Sequence, residues 1–114
     1  MHNEIFRKEN IILDLQDSSG SAALETFADA LALQDPGLKD SKGKILKALK
    51  AREASGSTGA DRVGIPHIKM AEATKVSGLI AVHRDGLDYQ ALDGEPVHVF
   101  FAIVRPEAED VEHV

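Results

Sequence analysis

The chain has no cysteine, no tryptophan and only one tyrosine among its 114 residues. Without cysteine it has no disulfide, thiolate metal site or thiol nucleophile, so its chemistry depends on histidine, carboxylates, hydroxyl groups and the backbone. No apolar run is long enough to span a bilayer, and the N-terminus lacks the basic-then-apolar order of a signal peptide. The sequence therefore predicts a cytoplasmic protein with no membrane insertion.

Positive charge and aromatic residues are also scarce. The net charge is −6, and four phenylalanines and one tyrosine are the only aromatic residues. Nucleic acid is an unsuitable partner for such a chain, because the phosphate backbone requires a basic surface. The length, with 43% hydrophobic and 28% charged residues, fits a single domain over residues 1–114.

Hydrophobic spacing predicts a strand followed by two helices in the first half of the chain. Residues 10–15 are rich in isoleucine and leucine and predict the strand. Apolar positions recur at helical spacing over residues 21–33, with Asp17, Ser18 or Ser19 as the N-cap. A second helix begins after Asp40 or Ser41 and carries Arg52 in its last turn. Residues 54–64 then read as an irregular loop.

The second half of the chain predicts two further strands. Residues 76–82 form the first, and the Arg-Asp-Gly sequence over 84–86 predicts a turn after it. Residues 97–104 are almost continuously apolar, which predicts a central strand covered on both faces. Pro106 ends this strand and suits the first turn of a following helix.

One stretch combines groups suited to phosphate chemistry. Arg52 lies before the Ser/Gly-rich turn of Ser57, Thr58 and Gly59, and His67 follows Pro66 close behind. Backbone N–H groups of such a turn and an arginine can stabilise phosphate, while an imidazole is a nitrogen nucleophile. The stretch predicts phosphoryl transfer through a phosphohistidine, although Ser/Gly loops commonly serve as simple connectors.

Competing motifs fail on particular residues. The glycines at 59 and 64 have P-loop spacing, but Ile65 and Pro66 stand where that motif requires Lys and Ser/Thr. No Gly-x-Gly-x-x-Gly motif occurs, and no nucleophile elbow matches the serines. The histidines show neither His-x-His nor His-Glu-x-x-His spacing, so no metal site is expected.

The other histidines are interpreted as structural. His98 lies within the predicted central strand, His83 is expected to be solvent-exposed beside a turn, and His2 lies near the terminus. His67 differs because Pro66 restricts the backbone before it and the Ser/Gly turn precedes it. It is therefore the candidate reactive histidine.

Four segments together resemble one known family over nearly the whole chain. They are Arg-Glu-x-x-Gly-Ser-Thr-Gly from Arg52, Gly-Ile-Pro-His ending at His67, the Asp-Gly-rich sequence over 85–97, and Pro106 with His113. They are similar to the EIIA domain of the fructose, mannitol and nitrogen-regulatory branch of the bacterial phosphoenolpyruvate-dependent phosphotransferase system. The resemblance implies an α/β fold with a mixed β-sheet covered by helices on both faces.

The resemblance also implies roles for individual residues. His67 matches the histidine that accepts a phosphoryl group from HPr and passes it to an EIIB domain or holds it as a regulatory signal. Arg52 matches an arginine that stabilises phosphoryl charge, and His113 matches a second histidine that orients the phosphoryl group. No metal or cofactor is needed, because donor and acceptor are both histidines.

The chain departs from the family pattern in two places. Six residues separate the Ser-Thr-Gly run from Pro66, where the family usually has seven, and Asp61 adds a negative charge there. Family domains also continue well beyond the position of His113. We therefore expect C-terminal helices that are missing or truncated, and a homo-oligomer that covers the exposed sheet.

Three functions remain open from the sequence. The first is a phosphocarrier acting through His67. The second is a non-catalytic module of the same fold that binds a partner kinase or transporter. The third is an unrelated small α/β ligand-binding domain.

Overall fold

The computed structural model describes residues 8–107. His2, His113 and nearly all of the helix predicted after Pro106 lie outside this range. Within it, the α-helices are α1 (Gly20–Gln34) and α2 (Lys42–Ala54), and short 3-10 helices span Lys8–Asn10 and Pro36–Leu38. The strands are β1 (Ile11–Ile12), β2 (Gly59–Ala60), β3 (Val63–Gly64), β4 (His67–Met70), β5 (Ser77–Leu87) and β6 (Val97–Pro106).

The strands form one mixed sheet with β6 at its centre. Its order is β1-β5-β6-β3-β2, and β4 also pairs with β6. β5 runs antiparallel to β6, whereas β3 and β4 run parallel to it, one after the other along the same side. The prediction of a central strand over residues 97–104 is confirmed, and β6 ends at Pro106.

One face of the sheet forms the core against the helices. Leu79 pairs with Ala102 and Ala81 with Phe100, and all four side chains are buried. The ring of Phe27 from α1 lies with its centroid 5.3 Å from that of Phe100. This contact places α1 on the buried face.

The other face of the sheet is apolar but only half-buried. It carries Ile80, Val82, Val99 and Ile103, which alternate along β5 and β6 with the buried residues. Within the described part of the chain, α1 packs on the opposite face, so these side chains do not contact it.

Helix α1 is close to its prediction because several local signals agree. Ser19 is the N-cap, and its hydroxyl oxygen accepts a hydrogen bond of 3.1 Å from the N–H of Ala22. Leu24, Phe27 and Leu31 recur at helical spacing and are buried. The helix ends at Gln34, before Asp35 and Pro36.

Helix α2 presents its apolar side to α1 and β4. Ile45 and Leu49 are buried, while the lysines at 42, 44, 47 and 50 are exposed. Ser41 occupies the N-cap position without a side-chain hydrogen bond. Arg52 lies in the last turn, as predicted.

The turn predicted at residues 84–86 is wrong, because β5 continues through them to Leu87. Between Val82 and Leu87 the pairing with β6 shifts register, and Gly86 has a φ of +86°. A Cβ at Gly86 would lie 2.8 Å from Nε2 of His98, so only glycine fits there without displacement. The Arg-Asp-Gly sequence therefore forms a bulge rather than a chain reversal.

His83 is half-buried, which corrects the prediction that it is solvent-exposed. Its Nε2 lies 2.8 Å from the carbonyl oxygen of Asp17. The N–H of Leu15 also donates to the carbonyl of Val82, so the segment after β1 runs alongside β5 and covers this imidazole.

Candidate functional site

Arg52 lies at the C-terminal end of α2 and is held against the turn that follows. Its Nη1 donates hydrogen bonds to the carbonyl oxygen of Gly56 at 2.7 Å and to Oγ of Ser55 at 3.3 Å. The negative end of the helix dipole also favours a guanidinium at this position. The contact orders the guanidinium group although the side chain is exposed.

The Ser/Gly turn is closed by Glu53. Thr58 donates its N–H to Oε1 of Glu53 at 3.0 Å and its hydroxyl proton to Oε2. The N–H of Gly59 donates to Oγ of Ser57 at 3.1 Å. Two of the backbone donors that the sequence assigned to phosphate are therefore engaged within the turn in this structure.

Residues 59–64 form a β-hairpin, which corrects the prediction of an irregular loop. Gly59 pairs with Gly64 and Ala60 with Val63, which leaves a two-residue turn of Asp61 and Arg62. Both turn residues have positive φ, 54° and 67°, as a type I′ turn requires. With this tight turn, six residues lead from the Ser-Thr-Gly run to Pro66.

The hairpin leads directly into the strand that carries His67. The carbonyl of Arg62 accepts hydrogen bonds from the N–H groups of His98 and Val99. Pro66 is fully buried, and its carbonyl accepts from Ile103 at 2.9 Å. His67 is therefore the first residue of β4, fixed by the central strand.

His67 and Arg52 line the same open cleft between α2 and β4. The cleft measures about 580 Å³ and is otherwise lined by Ala48, Ala51, Ile68 and Lys69. The imidazole is half-buried, and its Nε2 is buried without a hydrogen-bond partner. Two of the predicted catalytic residues, 15 positions apart in sequence, are thus brought together by the packing of α2 on β4.

The surroundings of His67 favour a neutral imidazole. Burial lowers its pKa below the ordinary value of 6.5, and the positive charges of Arg105, Lys69 and Arg52 lower it further. A proton on Nε2 would leave a buried N–H group without an acceptor, so the lone pair is favoured at that atom. The side chain is therefore suited to act as a nucleophile near neutral pH.

The predicted phosphate-binding residues are not among those that line this cleft. Ser57, Thr58 and Gly59 lie beyond the end of α2, and Thr58 is joined to the His67 segment through its carbonyl, which accepts from Ile65. The prediction for His113 lies outside the described residues. The sequence predicted no role for Lys69, Arg105 or Tyr89, although Lys69 lies two residues after His67 and Tyr89 falls within the segment over 85–97. The folded sheet brings Arg105 alongside Lys69.

Within residues 8–107 no group of three His, Asp or Glu side chains is gathered as metal ligands. In the same range no helix combines the length and the apolar character needed to cross a membrane.

Comparison with curated proteins finds relatives at 27% and 33% identity. The chain is 33% identical over 107 residues to the PTS system fructose-specific EIIA component of Haloferax volcanii, covering 93% of this chain and 68% of that protein. It is 27% identical over 112 residues to the fructose-specific EIIABC component of Bacillus subtilis. That match covers 97% of this chain but spans only 17% of the longer protein.

Solved structures show the same fold. The nitrogen regulatory protein IIA-Ntr from Neisseria meningitidis superposes with a TM-score of 0.85 at 30% identity, over 98% of this chain and 75% of that one. Enzyme IIAMTL from Escherichia coli, solved in complex with phosphorylated enzyme IIBMTL, gives a TM-score of 0.67. Its identity is 16% over 94% of this chain and 76% of that one, so it supports the fold alone.

The family model of the phosphoenolpyruvate-dependent sugar phosphotransferase system, EIIA 2, matches residues 4–114. The match includes the helix end with Arg52, the hairpin and the strand with His67. The mixed sheet with its helices agrees with the solved structures of relatives. The chain therefore belongs to the EIIA 2 family of the phosphotransferase system.

Proposed function

We propose that this protein is a phosphocarrier that accepts a phosphoryl group on His67. One observation carries the proposal: a histidine with a lowered pKa and a buried, unpartnered Nε2 shares a cleft with an ordered arginine. The family to which the chain belongs supports the same reaction.

The reaction needs a nucleophile and charge stabilisation but little else from the protein. The lone pair of Nε2 attacks the phosphorus of a donor phosphohistidine, and a new P–N bond forms as the donor P–N bond breaks. The donor imidazole keeps the electron pair of the broken bond, and the other ring nitrogen of His67 keeps its proton. Because Nε2 is buried in this structure, the proposed attack requires the imidazole to turn toward the cleft.

Arg52 stabilises the transferring group in this proposal. A guanidinium carries five N–H donors, and the contacts with Ser55 and Gly56 both use Nη1. Because these contacts already order the guanidinium, its remaining N–H donors need little reorganisation during transfer. His113 remains a predicted second histidine that orients the phosphoryl group.

The partners follow from the system to which the family belongs. HPr is the proposed phosphoryl donor, and an EIIB domain is the proposed acceptor, by analogy with the mannitol complex. Retention of the phosphoryl group as a regulatory signal is the other outcome, supported by the likeness to IIA-Ntr. The proposal places the protein in the cytoplasm, where phosphoenolpyruvate is made, and the expected homo-oligomer stays a prediction.

Intact mass measurement tests the carrier function directly. The protein is incubated with phosphoenolpyruvate, enzyme I and HPr, and we expect the addition of one phosphoryl group. The product should be labile in acid and stable in alkali, as a phosphoramidate is. His67→Ala should take up no phosphoryl group, while the control His98→Gln should behave as the wild type does.

A non-catalytic binding module is the second candidate. It is favoured by the Ser/Gly turn, where the N–H groups of Thr58 and Gly59 already donate to Glu53 and Ser57. This module would bind a partner kinase or transporter without changing in mass. Uptake of phosphoryl by wild type but not by His67→Ala excludes it, whereas HPr binding without uptake supports it.

A further inference from the structure

Tyr89, the single tyrosine of the chain, lies beneath the hairpin and is 4% exposed. A Cβ at Gly59 would lie 3.0 Å from its Cδ2, and one at Gly64 would lie 3.2 Å from its Cε2. Its ring also meets Phe100 edge-on, with 5.0 Å between the centroids. The backbone of both hairpin strands therefore rests directly on this ring, which also contacts Phe100 in the core and lies close to Gly20 at the start of α1.

The hydroxyl of Tyr89 points to the turn after α2. It lies 3.3 Å from Oγ1 of Thr58, and that oxygen donates its own proton to Glu53. Tyr89 is therefore the donor in its contact with Thr58. Burial raises the pKa of Tyr89 far above its ordinary value, and the Glu53 carboxylate adds to this rise, so the phenol keeps its proton.

Thr58 connects the two halves of the site. Glu53, its carboxylate partner, is the neighbour of Arg52 in α2. Its carbonyl oxygen accepts a hydrogen bond of 3.2 Å from Ile65, which stands two residues before His67. A shift of Thr58 would therefore change the position of the Arg52 segment relative to the His67 segment.

We propose that Tyr89 is a positioning residue for phosphoryl transfer, which holds Thr58 through its hydroxyl and thereby keeps Arg52 beside His67. The kinetic part of this inference rests on the proposed function. Tyr89 acts through Thr58 and not on the phosphoryl group, since the cleft is lined by side chains from α2 and β4. The rate of phosphoryl transfer is sensitive to small displacements of the reacting groups, so loss of the Tyr89 hydroxyl should have a measurable effect on that rate.

Tyr89→Phe removes the hydroxyl and keeps the ring that supports the hairpin. We expect the single-turnover rate of transfer from phosphorylated HPr, at saturating HPr, to fall about three- to tenfold. The HPr concentration at half-maximal rate should not change, because the substitution is buried. Thr58→Val should slow transfer as well, and the double variant should be no slower than Thr58→Val alone, because both changes break one chain of hydrogen bonds.

Thr74→Val is the matched control. Thr74 also donates its hydroxyl to a carboxylate, that of Asp35 at 2.5 Å, in the segment between β4 and β5. This variant should be less stable than the wild type but should transfer phosphoryl at the wild-type rate. A purely structural effect of losing a hydroxyl hydrogen bond would slow Thr74→Val and Tyr89→Phe alike.

Wild-type transfer by Tyr89→Phe, or additive rate effects in the double variant, would overturn the inference. If the wild type accepts no phosphoryl group, the proposed function fails, and amide hydrogen exchange then decides the positioning claim. Faster exchange at Thr58 and Ile65 in Tyr89→Phe, but not in Thr74→Val, supports it. Unchanged exchange at both amides contradicts it.

Discussion

At the scale of single residues, the site shows what a local motif can and cannot reveal. Arg52 and His67 were predicted because each lies next to a Ser/Gly turn, and the structure places both in one cleft. Tyr89 has no such marker, since it approaches Thr58 across 31 positions of sequence. Its position depends on packing against the backbone of Gly59 and Gly64, which no rule of sequence spacing predicts.

Arg52→Ala should impair transfer more than stability. The side chain is exposed and stabilises a helix end, a contribution of about 0.3–1 kcal/mol. Loss of a transition-state contact lowers the rate by about 10²–10³-fold. Rapid-quench kinetics and urea unfolding measure the two effects separately.

Arg52→Lys is the control for this substitution, because it keeps the charge but loses the forked geometry of the guanidinium. We expect an intermediate rate. Normal transfer kinetics with a large drop in stability for Arg52→Ala would show that Arg52 is structural.

The lowered pKa of His67 predicts how stability depends on pH. The folded state binds the proton of this imidazole more weakly than the unfolded state, whose pKa is near the ordinary 6.5. The stabilising contribution of neutral His67 is therefore complete above that value and is lost as the pH falls through the lower, folded pKa. Urea unfolding at about pH 7.5 and pH 5 should show a larger loss for the wild type than for His67→Gln. Parallel losses in the two proteins would contradict the prediction.

At the scale of elements, α1 was predictable and the hairpin was not. In α1 the cap Ser19, the helical spacing of apolar residues and the break at Pro36 all agree. The hairpin lacks the Asn-Gly or Asp-Gly sequence that marks a two-residue turn, since Arg62 takes the second position. Its strands of two residues each also fall short of a recognisable alternating pattern.

Residues that tolerate positive φ should stabilise the hairpin turn. Asp61 and Arg62 both adopt positive φ. This conformation costs about 1–2 kcal/mol for residues other than Gly, Asn and Asp. We expect Arg62→Gly to raise the free energy of unfolding by about 0.5–1 kcal/mol, after the greater flexibility of unfolded glycine is counted. Urea unfolding measures the change, with Arg84→Gly in the exposed part of β5 as the control, which should be destabilising. A loss of stability in Arg62→Gly would show that its side chain matters more than its backbone conformation.

At the scale of the whole molecule, three aromatic residues connect helix α1, the sheet and the hairpin beside the site. The ring of Phe27 contacts Phe100, and Phe100 contacts Tyr89 beneath the hairpin. Phe27 and Phe100 have no exposed surface. The apolar runs of α1 and β6 predicted that both residues are buried, but their contact depends on how the helix crosses the sheet.

Phe100→Leu should separate overall stability from the organisation of the site. The substitution removes part of a fully buried ring and leaves a cavity, which typically costs about 1–3 kcal/mol when the remaining side chain cannot fill the space. Because Phe100 also supports Tyr89, we expect this variant to slow phosphoryl transfer under conditions where it is still fully folded.

Leu31→Ala in α1 is the control, since Leu31 is equally buried but does not contact Tyr89 through a ring. A similar loss of stability in both variants, with slower transfer in Phe100→Leu alone, would show that the aromatic contact transmits core packing to the site. Equal rates in the two variants would restrict the role of Phe100 to the core.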